Sequence, residues 1–376
     1  MARIGIDARF FGPIGKGLGR YTQKLIEYLE VVDQDNQYFV FLGKDNFETY
    51  KPKNPNFQKV LADFRWYSFA EQLKMPLLLY RYNLDLVHFP HFNVPIAYFK
   101  PFVITIHDLI LLHFPTVRAS TLGPLKYWLK FTAYRLTIFS AIKRARRIIA
   151  VSEFTKKDIL EHYKVKSGKV TVTYEACDKS KLDSSPDDGV VLAKYGIIKP
   201  YFLYVGNVYP HKNPERLIKT FKKIQDRGRE EKLVFVGGDD YFYIRLKKFA
   251  ADQNVRNVVF AGFVPDEELN ALFHGAVAYV RPSLYEGFEL PPLEAMSAGV
   301  PVLSSSHDCA LEILGDSAAY FDAYDSDDIL RAIEEISGDD ELRARLVEKG
   351  YAQVKKYNWE KMAKQTSDIF KKALNK

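Results

Sequence analysis

Glu286 and Glu294, eight positions apart, bracket a stretch whose residue types could do chemistry: EGFELPPLEAMSAGVPV, residues 286–302. Pro291 and Pro292 suit the first turn of a helix, where a missing N–H costs nothing. LEAMSA then predicts the helix, Gly299 its stop, and Val300 to Leu303 a buried strand. The backbone N–H groups of Gly287, Phe288, Glu289 and Leu290 should therefore gather at a helix N-terminus, a ready site for phosphate. Glu286 comes just before that site. Glu294 lies inside the helix, on the order of 10 Å away given about 1.5 Å of rise per helical residue. Two acids flanking an anion site fit a ligand with hydroxyls at both ends and phosphate between them, as in a nucleotide sugar. From spacing alone, an ordinary helix–strand unit with exposed acids fits equally well.

Other candidates sit at strand ends. Lys212, in GNVYPHKN, lies in a loop just past a strand and can meet a diphosphate as a point charge; a lone loop lysine is more often only solvated. His107 and Asp108 end the strand FVITI, where open α/β sheets bind ligands; a helix-capping Asp beside a core His is the alternative. Gly15, Gly17 and Gly19 follow the first strand. Such a turn can bring backbone close to an anion, although the spacing is not that of dinucleotide sites and a plain tight turn would look the same. No D-x-D stands in a suitable loop, because Asp325-Ser326-Asp327 reads as a helix cap before ILRAI. No His/Cys cluster has metal spacing, so no metal ligands are assigned.

These residues need a frame. The chain has 376 residues, 47% of them hydrophobic, enough for two domains each with its own core. Strand–helix alternation runs through both halves. RIGIDA, QYFVFLG, LDLVHFP, FVITI, RRIIAV and KVTVTYEACD are the strands of the first half; YFLYVGN, KLVFVGG, NVVFAGF and AVAYVRPS belong to the second. TQKLIEYLE and ERLIKTFKKI are amphipathic helices between strands. This predicts an α/β protein with two doubly wound parallel sheets. The stretch over residues 179–199 is the linker candidate. It is polar, clusters Asp and Ser around Pro186 and Gly189, and carries no periodic pattern. The domains are set at residues 1–185, 186–356 and a last helical segment, 357–376.

Composition narrows the partners. The formal charge is +7, which favours nucleotide diphosphates, anionic lipid or nucleic acid without choosing among them. No run of about 18 apolar residues would make a transmembrane helix. MARIGIDARF puts charge where a signal peptide needs an apolar core, and two unpatterned cysteines, Cys177 and Cys309, suit a reducing cytosol. From Leu109 to Ser152 there is no Asp or Glu, but there are Arg118, Lys126, Lys130, Arg135, Lys143, Arg144, Arg146 and Arg147, mixed with Tyr127, Trp128, Phe131 and Tyr134. Such a helix can lie on an anionic membrane surface, here residues 118–147, or can cover the sheet with its lysines in solvent. No nucleic-acid module accompanies the patch.

The stretch from RPSLYEGF to the C-terminus resembles the E-x7-E motif region of the retaining glycosyltransferases of family 4, which have the GT-B fold. The resemblance implies two Rossmann-like domains facing across a cleft. It implies that Glu286 contacts the donor sugar, that Glu294 holds the ribose hydroxyls, and that the amides of Gly287 to Leu290 touch the diphosphate. Gly17-Leu18-Gly19 would lie over the donor phosphates beside the acceptor. His107 and Asp108 match the HD signature near the anomeric carbon, and Phe263-Val264 matches the loop around the nucleobase. Trp359 matches an aromatic in a last helix that braces the first domain. Two departures stand out. Asn207 replaces the family's usual arginine, so His211 or another basic group must compensate beside Lys212, or phosphate holding weakens. Glu289 replaces a small residue, so its carboxylate must turn away from a diphosphate or meet the sugar.

The implied function is transfer of mannose or glucose from GDP-mannose or UDP-glucose to a glycan, lipid-linked or small-molecule acceptor. Anomeric configuration would be retained, without a metal ion or cofactor, by front-face attack with the leaving phosphate as base. A nucleotide-sugar epimerase or other enzyme of the same fold, and a sugar-binding protein without chemistry, are the competing readings.

Overall fold

The computed structural model describes residues 1–116, 123–178 and 188–375, so Arg118, the expected boundary at residues 185 and 186, and Lys376 lie outside the described residues. The chain divides into two compact units. Unit 1 holds residues 1–111, 123–175 and 358–375; unit 2 holds residues 112–116 and the chain from Ala176 to Tyr357.

In unit 1, β1 (Arg3–Asp7), β2 (Gln37–Leu42), β3 (Phe57–Leu61), β4 (Leu86–Phe89), β5 (Phe102–Ile106), β6 (Arg147–Ala150) and β7 (Val170–Val172) pair in parallel, in the order β3-β2-β1-β4-β5-β6-β7. Strand order reverses between β1 and β4, which marks the point where such sheets take ligands at their C-terminal ends. Among the described residues these strands are joined by α1 (Lys16–Val32), α2 (Phe69–Arg81), the short α3 (Ile110–His113), α4 (Pro124–Arg144) and α5 (Glu153–Tyr163). Right-handed crossovers require that α2, α4 and α5, which carry the chain one way along the sheet, share a face, and that α1 take the other. The last helix, α14 (Trp359–Leu374), packs on α1 and over β4, β5 and β6. Its buried Ser367 donates to Asp33 Oδ2 at 2.8 Å, and Arg146 reaches the Ala373 carbonyl.

Unit 2 repeats the plan with β8 (Tyr201–Val205), β9 (Lys232–Val236), β10 (Val258–Gly262), β11 (Ala278–Arg281), β12 (Val302–Ser305) and β13 (Ala318–Phe321), in the order β10-β9-β8-β11-β12-β13. Its helices are α6 (Asp188–Lys194), α7 (Pro214–Asp226), α8 (Tyr241–Asp252), α9 (Asp266–Gly275), α10 (Leu290–Ser297), α11 (Asp308–Leu314), α12 (Ser326–Gly338) and α13 (Asp340–Val354). The reversal here falls between β8 and β11. The core between sheet and helices includes Phe202, Phe221, Leu233, Phe235, Val280 and Ile333, all fully buried.

Three features differ from the sequence reading. First, α1 begins at Lys16 rather than near Thr22, so Gly17 and Gly19 lie in its first turn. Second, β3 and α2 had no expected counterpart. β3 is an edge strand with uneven burial, and α2 carries Pro76 in its interior, a residue that argues against helix in sequence. Third, the cationic segment is less free than its composition suggests. Lys143 donates to the Tyr163 carbonyl, Arg144 to those of Ile96 and Tyr98, and Arg147 to that of Gly168. Tyr127 is buried, whereas Leu125, Trp128, Leu129, Leu136 and Phe139 of α4 are exposed.

Candidate functional site

The strand ends at the reversal in unit 2 converge on one carboxylate. β11 delivers Arg281, and the turn after it brings Ser283 and Glu286; the loop after β8 brings Lys212. Glu286 Oε1 accepts from Lys212 Nζ at 2.8 Å, Arg281 Nη2 at 2.6 Å and Ser283 Oγ at 2.7 Å. All four side chains are buried. Burial opposes the charge on Glu286, but Arg281 and then Lys212 overcome it and hold the carboxyl well below the usual carboxylate range. Burial, followed by Arg281, pushes the Lys212 ammonium down, while Glu286 opposes both.

The sequence left open which basic group stands in for arginine at position 207. His211 does not. Burial lowers it to about 4, so it is neutral near pH 7. Arg281 is the second fixed cation of the cluster, and burial fails to deprotonate it beside Glu286. RPSLYEGF shows an arginine at the end of a strand that is otherwise apolar, but nothing in it says that the side chain turns inward. Asn207 keeps its side-chain Oδ1 buried without a hydrogen-bond partner.

Glu289 turns inward. It is fully buried, with Arg281 Nε 3.7 Å from Oε2 and His307 Nε2 2.9 Å from Oε1, yet neither oxygen has an aligned hydrogen bond. The expected repulsion is therefore met by two basic side chains. Glu289 is also the residue before α10 and gives no side-chain cap, so the first N–H groups of that helix are not answered by a capping side chain. Gly287 is buried, Phe288 packs edge-on against Tyr357 at 5.6 Å, Leu290 opens α10, and Glu294 lies half-buried within it. Gly299 ends the helix with φ +73°, as its position predicts.

Residues 205–207 are clamped by tyrosines that no motif singled out. Tyr279 donates to the Val205 carbonyl at 3.3 Å, Tyr243 to that of Gly206 at 2.6 Å and Tyr204 to that of Asn207 at 2.6 Å. Phe263 and Val264 follow Gly262 at the end of β10, two strands from β8. Phe263 is 75% exposed and Val264 is buried.

In unit 1, His107 follows β5. Its Nδ1 lies 2.9 Å from Glu175 Oε1 and its Nε2 2.9 Å from the Pro90 carbonyl. An acceptor faces each ring nitrogen, an arrangement that favours the doubly protonated imidazole. Burial works against the charge, but the hydrogen bond and charge of Glu175 raise its pKa. Asp108 accepts from the Ile110 N–H at 3.0 Å and so does cap the next turn. Gly17 has open space around it. A Cβ at Gly19 would stand 2.0 Å from the Gly12 carbonyl oxygen, so that glycine is required by packing. Leu18 lies between them in the first turn of α1.

Two family models match the chain in succession. One described as Glycosyltransferase Family 4 matches residues 15–181, and one described as Glycosyl transferases group 1 matches residues 194–353. The chain is 28% identical to O-antigen chain mannosyltransferase B of Escherichia coli over 94% of this chain and 96% of that protein. It is 27% identical to O-antigen chain mannosyltransferase RfbU of Salmonella typhimurium over 86% and 88%. Among solved structures it resembles WaaG, a glycosyltransferase involved in lipopolysaccharide biosynthesis, with TM-score 0.72, 16% identity and 98% and 99% of the two chains covered. It also resembles Anabaena HepE in complex with UDP-glucose, with TM-score 0.75, 16% identity and 99% and 100% covered. Both likenesses show the same two-sheet GT-B fold.

Two measurements test these clusters. Arg281→Leu leaves Glu286 and Glu289 buried with too little positive charge, and should cost on the order of 3–5 kcal/mol in urea unfolding; a loss under about 1 kcal/mol would mean the guanidinium is not what holds them. For His107 the folded pKa is raised. Its stabilisation is therefore fully present below about pH 6.5, the unfolded value, and is lost as pH rises through the folded pKa. The Tm gap between wild type and His107→Gln should narrow from pH 6 to pH 9; a gap that widens would refute the imidazolium.

Proposed function

The chain belongs to the glycosyltransferases of family 4, and from that membership we propose that it moves mannose from GDP-mannose to a hydroxyl of a glycan or lipid-linked saccharide, with retention and without a metal ion. The observation that carries this reading is the convergence of Lys212 and Arg281 on Glu286 at the strand reversal of unit 2. A hexosyltransferase must stabilise the negative charge that grows on a diphosphate as the bond to the sugar breaks. Two buried cations and the uncapped N-terminus of α10 supply that field, which is why no metal is needed in this scheme. Glu286, ionised and anchored, would orient the sugar through its hydroxyls. Glu294 would take the ribose hydroxyls, and the exposed Phe263 ring would flank the base.

In the step itself, the bond from anomeric carbon to phosphate oxygen breaks and its electron pair leaves with the diphosphate. The acceptor oxygen bonds to the same face of that carbon and passes its proton to the leaving phosphate oxygen. The names of the two O-antigen relatives favour mannose and a polysaccharide product. UDP-glucose is the second reading, supported by the ligand of HepE.

The exposed apolar residues of unit 1 support a place on an anionic membrane surface, within the expected span 118–147 from residue 123 onward. On α4, Leu125, Trp128, Leu129, Leu136 and Phe139 are exposed beside Lys126, Lys130 and Arg135, with no acid in the helix. On α2, which shares that face of the sheet, Phe69, Leu73 and Leu77 are exposed at four-residue intervals. Among the described residues no helix is long and apolar enough to cross a membrane, so attachment would be peripheral.

The purified chain should release GDP from GDP-mannose only when a saccharide acceptor is added, with an α-linked product by NMR and undiminished turnover in EDTA. Release without acceptor, or a β-linked product, would count against the scheme. Glu286→Gln should lower kcat by at least about a hundredfold, the loss expected of a residue acting at the reacting sugar. Vesicles containing anionic lipid should co-sediment the wild type, and Leu125→Asp/Leu129→Asp should abolish this; equal sedimentation of both would exclude α4 as the contact.

A further inference from the structure

The strand reversal of unit 1 carries a second built site, and it faces a different chemistry. β1 runs into Arg9 and Phe10; β4 runs into His91 and Phe92. Between β3 and α2 the chain adds Trp66 and Tyr67. The Phe10 ring lies 4.7 Å from that of Trp66 and 5.8 Å from that of His91. Tyr67 is 55% exposed, and its hydroxyl is 3.0 Å from His91 Nδ1.

Tyr67 has φ +57°, a left-handed conformation that costs a non-glycine residue energy. A buried network holds it there. The Tyr67 N–H donates to Glu71 Oε2 at 2.7 Å. Glu71 is fully buried and is gripped by Arg9 and by the Asn93 amide, 2.8 Å from each oxygen. Arg9 is in turn paired with Asp7, 2.6 Å away. Glycine would adopt this backbone without strain, so what the position supplies is the ring. The residue before it, Trp66, lines a cavity of about 340 Å³ with Arg9, Lys44, Asp45, Asp63 and Arg65.

We propose that this platform binds a neutral pyranose ring of an oligosaccharide. A pyranose has a face of C–H groups and a rim of hydroxyls. Trp66 and Tyr67 offer an apolar aromatic surface to the first, and Lys44, Asp45, Asp63 and Arg65 offer acceptors and donors to the second, with Arg9 already paired to Asp7 and Glu71. The mixed charges of that rim suit hydroxyls better than they suit either an anion or a lipid chain. On the transferase reading, the ring belongs to the acceptor glycan.

The test is calorimetric titration of the full chain with mannotriose, maltotriose and chitotriose, without donor. At least one should bind. Trp66→Ala and Tyr67→Gly should each weaken that binding about tenfold or more, roughly 1.4 kcal/mol, while Trp66→Phe stays within about threefold because it keeps an aromatic face. Tyr67→Gly should keep or raise Tm, a combination that a merely structural tyrosine would not give. The proposal is overturned if no trisaccharide binds the wild type, if folded Trp66→Ala binds as the wild type does, or if the substitutions lower only vesicle binding. GDP release is scored separately. If trisaccharide binds at Trp66 but no donor is ever turned over, the transferase reading fails and this one stands. If transfer proceeds with Trp66→Ala at an unchanged acceptor KM, the platform fails and the transferase reading stands.

Discussion

One oxygen of Glu286 accepts from an ammonium, a guanidinium and a hydroxyl, all out of water. Much of unit 2 is arranged to make that possible. Three charges taken from solvent are expensive, and their attraction offsets the cost only when geometry is tight. The tightness comes from adjacent parallel strands: β8 and β11 are hydrogen-bonded neighbours, so their C-terminal loops leave the sheet side by side. Ser283, which donates to Glu286, is itself held by Ser305 at the end of β12. Three tyrosine hydroxyls fix the carbonyls of residues 205–207. Such a cluster is weak evidence for stability, because apolar packing would serve that better. It is good evidence for a fixed field, since charges that cannot move need no reorganisation when a ligand's charge changes.

Unit 1 uses the same device for another end. Glu71 is also a buried glutamate paired with an arginine beside a strand reversal. There the carboxylate faces backbone as well as side chain, and the result is a strained turn that displays a ring. In unit 2 a buried acid fixes cations; in unit 1 it fixes a shape. His107, with an acceptor facing each nitrogen, belongs to the first kind: its partners favour its protonated form.

The alternation of strands and helices was legible because parallel strands buried on both faces are continuous apolar runs, as in β5, β8 and β9. Glu286, Lys212 and the N-terminus of α10 were legible because helix and loop punctuation is local: two prolines, a glycine and a strand end fix where amides collect. Arg281 was not, since nothing local distinguishes an arginine aimed inward from one aimed at water. Nor was the inward turn of Glu289, which depends on His307 from another loop. β3 and α2 were missed because an edge strand is only partly buried and a proline inside a helix defeats local reading. Tyr67 was invisible for the same reason as Arg281. A left-handed tyrosine is set by His91 and by Glu71, whose carboxylate is held in place by Arg9 and Asn93, and these residues meet only once the chain is folded.

Net charge gives the sharpest contrast between what is counted and what acts. A formal +7 points to anionic partners in general. Yet Lys143, Arg144, Arg146 and Arg147 are engaged by backbone carbonyls within unit 1, those of Tyr163, Ile96, Ala373 and Gly168. Lys212 and Arg281 face buried acids. What remains outward on α4 is a small set of cations flanked by large apolar side chains. Charge of that kind draws a surface to within about a Debye length, roughly 8–10 Å, and apolar area decides whether it stays. The division of labour among these cations is a property of their burial, which composition cannot carry.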